Sequence, residues 1–208
     1  MPHNPPPRPP TCYLPTRPAD FIGQAAVAAE KLLTKAGRLK TQPAQPLKLL
    51  VSGAPGIGKT SLVNLVAKML ADHPACIEDY NGREVGLDTV RQWIRNQPYG
   101  TLFGNWSVKV VNELDRCSKD AQDLLLTYLD RLQPGQAFLG TTNLDLSTLT
   151  ERFQTRFLSV RLQPPSSEVL AQFMATQWNA PISITRMIAT GASGNVRAAL
   201  ADLEMWLG

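Results

Sequence analysis

Cysteine is scarce in this 208-residue chain, and long apolar runs are missing altogether. Cys12, Cys76 and Cys117 are odd in number and far apart, so they form neither a disulfide framework nor a spaced zinc site. That usage fits a reducing compartment. No uninterrupted apolar stretch approaches the roughly 18–20 residues of a membrane span, and the proline-rich start lacks the charged-then-apolar form of a signal peptide. An intracellular protein, cytoplasmic or nucleoid-associated and without membrane attachment, is expected. No internal repeat is present. Charge is modest too: 18% charged residues give a net +4 and a pI near 9.1. Such a surface permits contact with nucleic acid without requiring it.

What the sequence does contain is a glycine-rich loop in a telling place. Gly53, Ala54, Pro55, Gly56, Ile57, Gly58, Lys59 and Thr60 fit G-x-x-x-x-G-K-[ST] at every fixed position. The apolar run Leu47-Lys48-Leu49-Leu50-Val51 precedes them, and a helical pattern beginning at Ser61 follows. Glycines let a backbone curl its N–H groups around phosphates. A lysine at position 59 reaches β- and γ-phosphates, a hydroxyl at position 60 can ligand Mg²⁺, and the helix N-terminus favours the anion. Phosphate binding is therefore the leading expectation.

Around this loop, strand-like and helix-like segments alternate. Residues 1–18 hold eight of the chain's 17 prolines and read as an extended or disordered leader. A helix is expected over 24–39, then strands over 47–51, 75–80, 108–111, 137–140 and 157–162. Helices over 86–96 and 118–132 lie between strands, with Ala121, Leu124, Leu125, Tyr128 and Leu132 on one face. This alternation predicts an α/β fold with a mainly parallel sheet flanked by helices. Pro164-Pro165 marks a break, after which three helical stretches, near 166–178, 184–189 and 195–207, form a small lid over 165–208. The expected units are thus a leader (1–18), a nucleotide-binding core (19–164) and a lid. Ser166 and Gly194-Asn195 suit helix starts.

Several polar residues fall at strand ends beside the loop. Asn112 and Glu113 close the run Val110-Val111; a carboxylate there can polarise attacking water. Asn143 follows the next strand and can hydrogen-bond both water and a γ-phosphate. Arg152 and Arg156, four apart, would share a face if that segment is helical. Arginine suits a finger that neutralises phosphoryl charge. Arg197 opens the last helix, from where it could fold over the nucleotide.

The order of these motifs closely resembles the AAA+ ATPases, and within them the replication clamp-loader subunits. Arg17-Pro18-Ala19-Asp20-Phe21-Ile22-Gly23-Gln24 looks like the family's opening motif in compressed form. Asn81 to Arg91 is similar to the loader stretch NASDERGIDVVR, one residue shorter. Leu114 to Gln122 resembles the run after the Walker B strand, and Thr155-Arg156-Phe157 stands where loaders carry Ser-Arg-Cys. The resemblance implies ATP held by Gly53 to Ser61, with Ile22 and Gly23 near the base. It makes Glu113 the Walker B glutamate, Asn143 sensor 1, Arg156 the finger offered to a neighbour and Arg197 sensor 2. Mg²⁺ would sit by Thr60 and Asn112. Expected partners are homo- or hetero-oligomeric AAA+ neighbours, a sliding clamp or another replication protein, and DNA.

Two departures qualify that expectation. Asn112 stands where most relatives have aspartate, and an amide lacks the charge that favours the ion. Slow hydrolysis, or an ATP-gated subunit that does not hydrolyse, is one alternative. The chain also stops at the lid, without the helical collar of loader subunits. A helicase loader or transposition regulator that binds DNA is another alternative; Lys31, Lys35, Arg38, Lys40 and Lys48, with Arg83 or Arg91, would then meet phosphates.

Overall fold

The computed structural model describes residues 9–99, 103–145 and 151–208. Five strands form one sheet: β1 (Leu47–Ser52), β2 (Ile77–Asn81), β3 (Ser107–Asn112), β4 (Gln136–Thr142) and β5 (Leu158–Arg161). Their order across the sheet is β2-β3-β4-β1-β5, and every neighbouring pair is parallel. Parallel neighbours need crossovers, and helices supply them. The helices are α1 (Gln24–Thr41), α2 (Lys59–Leu70), α3 (Leu87–Asn96), α4 (Lys119–Asp130) and the one-turn α5 (Glu151–Gln154). Three more, α6 (Ser167–Trp178), α7 (Ile182–Ala192) and α8 (Val196–Leu207), follow the sheet.

Side chains alternate across each strand, so both faces of the central strands must be apolar to be covered. Leu49 and Val51 join Val108, Val110 and Leu139 in a core closed by α1 and α2. Leu50, Val111 and Phe138 point the other way, into a core shared with Trp93 of α3 and Leu125 and Tyr128 of α4. A third cluster, around Leu170, Met174, Ile188 and Leu203, is built from the three terminal helices. Local capping starts these helices where polar residues stand ready. Ser118 Oγ accepts from Ala121 N at 3.2 Å, and Asn195 Oδ1 accepts from Ala198 N at 3.1 Å.

The proline-rich leader is not featureless within the described residues. Pro10–Cys12 forms a 3-10 turn. Beside it, the Thr11 amide donates to Glu204 Oε2 on α8 at 2.8 Å, and the Thr11 hydroxyl donates to the same oxygen. The Tyr13 ring packs edge-on against Phe173 and Trp178 of α6, each with centroids 5.5 Å away. Proline disfavours the α-helix interior and sheet pairing, but it does not prevent an aromatic residue from docking on a partner surface. Residues 1–8 lie outside the described set. Among described residues, no helix is long and apolar enough to cross a membrane.

Candidate functional site

β1 ends at Ser52, and the chain turns through the glycine-rich loop into α2. Gly53 and Gly56 make that turn possible in two ways. Both adopt positive φ, at 144° and 77°. Both also meet neighbours too close for a side chain: a Cβ on Gly53 would lie 2.5 Å from the Leu162 carbonyl oxygen, and one on Gly56 1.9 Å from Asn195 Oδ1. The loop is therefore wedged between the last strand's end and the start of α8. Arg197 N donates to the Gly56 carbonyl at 3.1 Å, tying the terminal helices to the loop.

Lys59 opens α2 and is only 7% exposed. Its Nζ donates to the carbonyls of Gly53 and Ala54 at 2.8 and 2.7 Å, and to Asn143 Oδ1 at 2.8 Å. Burial lowers its pKa from the ordinary lysine value; Asp115 opposes that shift, Arg197 reinforces it and Glu113 opposes it. The lysine thus sits at a crossing of charges from three elements.

A cavity of about 350 Å³ opens over this loop. Residues 55–61 form its floor, Glu113, Thr141 and Asn143 one wall, and Arg197, Leu200 and Ala201 of α8 the other. Ile22 and the leader residues Tyr13, Leu14 and Pro15 close a third side. Of the residues singled out from sequence, Ile22, Pro55, Gly56, Ile57, Gly58, Lys59, Thr60, Ser61, Glu113, Asn143 and Arg197 are brought together. Gly53 and Ala54 lie just beneath, holding Lys59. Gly23 does not line the cavity; it caps α1 with φ 59°.

Glu113 follows β3 in a left-handed conformation, φ 56° and ψ 54°, which costs a non-glycine residue energy and recurs at functional positions. Its amide donates to Thr141 Oγ1 at 3.1 Å, and its carboxylate forms an ion pair with Arg116, Nε to Oε2 2.9 Å. Asn143 N donates to Asp115 Oδ1 at 3.2 Å. The ends of β3 and β4 are thereby laced together. Thr141 and Asp115 escaped sequence reasoning because each needs a partner 28 residues away.

Asn112 and Arg156 also lie outside the cavity. Asn112 donates through Nδ2 to Asp79 Oδ1 at 2.9 Å, while Thr141 Oγ1 approaches its Oδ1 at 3.4 Å. Arg156 sits just past α5, whose single turn does not extend to it. Its Nε and a terminal nitrogen donate to the two Asp130 carboxylate oxygens, both at 2.8 Å, and the other terminal nitrogen donates to the Arg152 carbonyl at 2.8 Å.

The donor set fits a triphosphate: a buried ammonium, a curled loop, and a helix N-terminus beginning at the loop's end. A Mg²⁺ arriving with the phosphates would draw most of its ligands from phosphate and water. Thr60 and Asn112 offer neutral oxygens.

Fold and site together define a P-loop ATPase. The profile of the ATPase family associated with various cellular activities (AAA) matches residues 49–164, more than half of the chain, and the chain belongs to that family. A similar protein is an AAA domain-containing protein of Mycobacterium tuberculosis, 26% identical over 78% of this chain and 40% of its own length. RuvB of Salinispora arenicola, a Holliday junction branch migration complex subunit, is 31% identical over 56% of this chain and 30% of its own length. Among solved structures, Thermotoga maritima RuvB superposes with a TM-score of 0.68 at 22% identity, covering 90% of this chain and 62% of that one. A DNA polymerase III gamma subunit-related protein of the same organism gives a TM-score of 0.57 at 15% identity, covering 77% of this chain and 57% of that one. The chain thus spans less than half the length of its curated relatives.

Proposed function

We propose that this chain is the nucleotide-binding unit of an oligomeric ATPase acting on DNA or on machinery bound to it. One observation carries the reading: Lys59 Nζ, the loop carbonyls and Asn143 Oδ1 meet within one cavity that Glu113 and Arg197 also line. A triphosphate entering there offers Lys59 anionic oxygens in exchange for neutral acceptors, and charge-assisted bonds are the stronger kind. Residues 53–61 cradle the phosphates, with Ile22 and Gly23 toward the base. Thr60 and Asn112 would hold Mg²⁺, which would supply positive charge against the phosphoryl oxygens. Glu113 orients the attacking water, Asn143 senses the γ-phosphate, and Arg197 contacts it from the lid. Arg156, outside its own cavity, serves the neighbouring subunit.

Resemblance to RuvB in both sequence and fold favours a motor on branched DNA. The clamp-loader reading, with a sliding clamp as partner, is supported by residues 81–91 and by Thr155-Arg156-Phe157. A non-hydrolysing, ATP-gated subunit is favoured by one observation, the uncharged Asn112.

The test is ATP turnover and oligomer mass, with and without branched or primed DNA, for wild type, Glu113→Gln, Arg156→Ala and their mixture. Each single variant should be nearly inactive. Mixed oligomers should regain turnover, because a Glu113→Gln subunit can lend Arg156 to a neighbour with an intact Glu113. Normal turnover by Arg156→Ala alone overturns the shared-site reading.

A further inference from the structure

Asn112 lacks a charge where a Mg²⁺-nucleotide is handled, yet an acid stands against it. β2 and β3 run parallel with Asn81 opposite Asn112 and Asp79 opposite Val110. Register partners in a sheet share a face, and so do residues two apart. Val110 belongs to the core that packs on α2, through Leu62, Val63 and Val66. Asp79, Asn81 and Asn112 therefore all sit on the face over which α2 begins with Lys59 and Thr60. Tyr80, between Asp79 and Asn81, packs on Trp93 on the opposite face, as that parity requires.

An ionised carboxylate only accepts, so the Asn112 group facing Asp79 must be its NH₂. That leaves the Asn112 oxygen toward Thr141 and the end of β4. The amide is thus held with its acceptor on the site side and its donor on the acid side. An aspartate at position 112 would instead bring two carboxylates to hydrogen-bonding distance, where both cannot comfortably ionise. The pair carries one negative charge, displaced by one strand.

We infer that Asp79 supplies, from the neighbouring strand, the carboxylate that Asn112 does not, and positions the Asn112 amide that links it to the Mg²⁺-nucleotide site. This rests on the reading of the cavity as an ATP site. Asp79 acts through Asn112 and the water around the ion, so it is a positioning residue.

The experiment is equilibrium binding of a fluorescent ATP analogue in Mg²⁺ and in EDTA. It compares wild type, Asp79→Asn, Asn112→Asp, the Asp79→Asn/Asn112→Asp exchange and a Lys59→Ala control, with melting temperatures for each. Asp79→Asn should lower affinity in Mg²⁺ about tenfold and leave affinity in EDTA unchanged. Asn112→Asp alone should gain nothing in Mg²⁺ affinity and melt lower than wild type. The exchange variant, with one carboxylate again, should recover both. If Asp79→Asn keeps the wild-type ratio of Mg²⁺ to EDTA affinity, the inference is overturned. An exchange variant that binds no tighter in Mg²⁺ than Asp79→Asn, or melts no higher than Asn112→Asp, overturns it equally. Lys59→Ala binding as well as wild type would instead overturn the site reading itself, which keeps the two failures apart.

Discussion

The backbone of Glu113 lies where a side chain on Gly82 would begin. A Cβ at position 82 would stand 2.1 Å from the Glu113 carbonyl oxygen and 3.2 Å from that of Asn112. Gly82 is buried in the short turn after β2, and its missing side chain lets the end of β3 adopt the left-handed turn that sets Glu113 at the cavity wall. Both obstructing atoms are backbone, so they cannot swing aside.

Gly82→Ala should therefore displace Glu113. We expect a stability loss of roughly 1–3 kcal/mol, the usual cost of overpacking a close contact. Turnover should fall far more than ATP affinity, because the loop and Lys59 are untouched. Steady-state kinetics with an independent binding titration checks this; a variant with wild-type turnover shows that the Glu113 turn tolerates the intrusion.

Arg156 depends on its shape as well as its charge. Two parallel bonds to Asp130 and one to the Arg152 carbonyl hold the guanidinium plane. Lysine keeps the charge but cannot make the fork. Arg156→Lys should lose most of the roughly 10³-fold acceleration expected of an arginine finger, and Arg156→Ala all of it, with ATP affinity little changed. Melting temperatures should barely move, since exposed ion pairs contribute little. Retained turnover in the lysine variant would mean that charge alone suffices.

Lys59 gives the direct test of nucleotide binding. A ligand at a hundred times its Kd stabilises a folded protein by about 2.7 kcal/mol through linkage. ATP should raise the wild-type melting temperature and leave that of Lys59→Ala unchanged. Equal shifts in both proteins would place the bound nucleotide elsewhere.

The leader should contribute to affinity, because Tyr13, Leu14 and Pro15 line the same cavity as the loop. Tyr13→Ala removes two edge-on ring contacts, each about 0.5–1.5 kcal/mol, and a hydrogen bond from its hydroxyl to the Asp20 carbonyl at 2.9 Å. ATP binding should weaken several-fold by titration calorimetry, while the sheet core, read by far-UV circular dichroism, stays intact. Unchanged affinity would show that the leader is a bystander.

Thiol reactivity should separate the cysteines. Cys12 is exposed on the leader's 3-10 turn, whereas Cys76 and Cys117 are buried. Burial, reinforced by Asp115, pushes the Cys117 thiol up to about 11, so almost no thiolate exists at pH 8. One equivalent of iodoacetamide should add quickly to native protein, at Cys12, and the rest only on unfolding; peptide mass mapping reads this out. Rapid native labelling of Cys117 would contradict the packing around α4.

Much of the fold was legible because its signals are short-range. The glycine loop needs its residues contiguous, and Ser118 and Asn195 cap helices through amides three positions on. Shifts came where local chemistry competed. The strand expected over 75–80 begins at Ile77 because Pro74–Cys76 takes a 3-10 turn, with His73 Nδ1 accepting from Ala75 N. The helix expected over 184–189 runs Ile182–Ala192, starting directly after Pro181.

By itself, then, the sequence determined the phosphate loop, the strand–helix alternation that makes the sheet parallel, and the ordered polar residues at strand ends. Only the tertiary structure decided which of those residues touch. Lys59 and Asn143 are 84 positions apart, Asn112 and Asp79 33, Arg156 and Asp130 26, and Thr11 and Glu204 193. Periodicity and capping act within a few residues along the chain, while these contacts depend on strand order, register and the docking of the terminal helices. The side chains at position 112 and position 82 acquire their meaning only when β2 is laid beside β3.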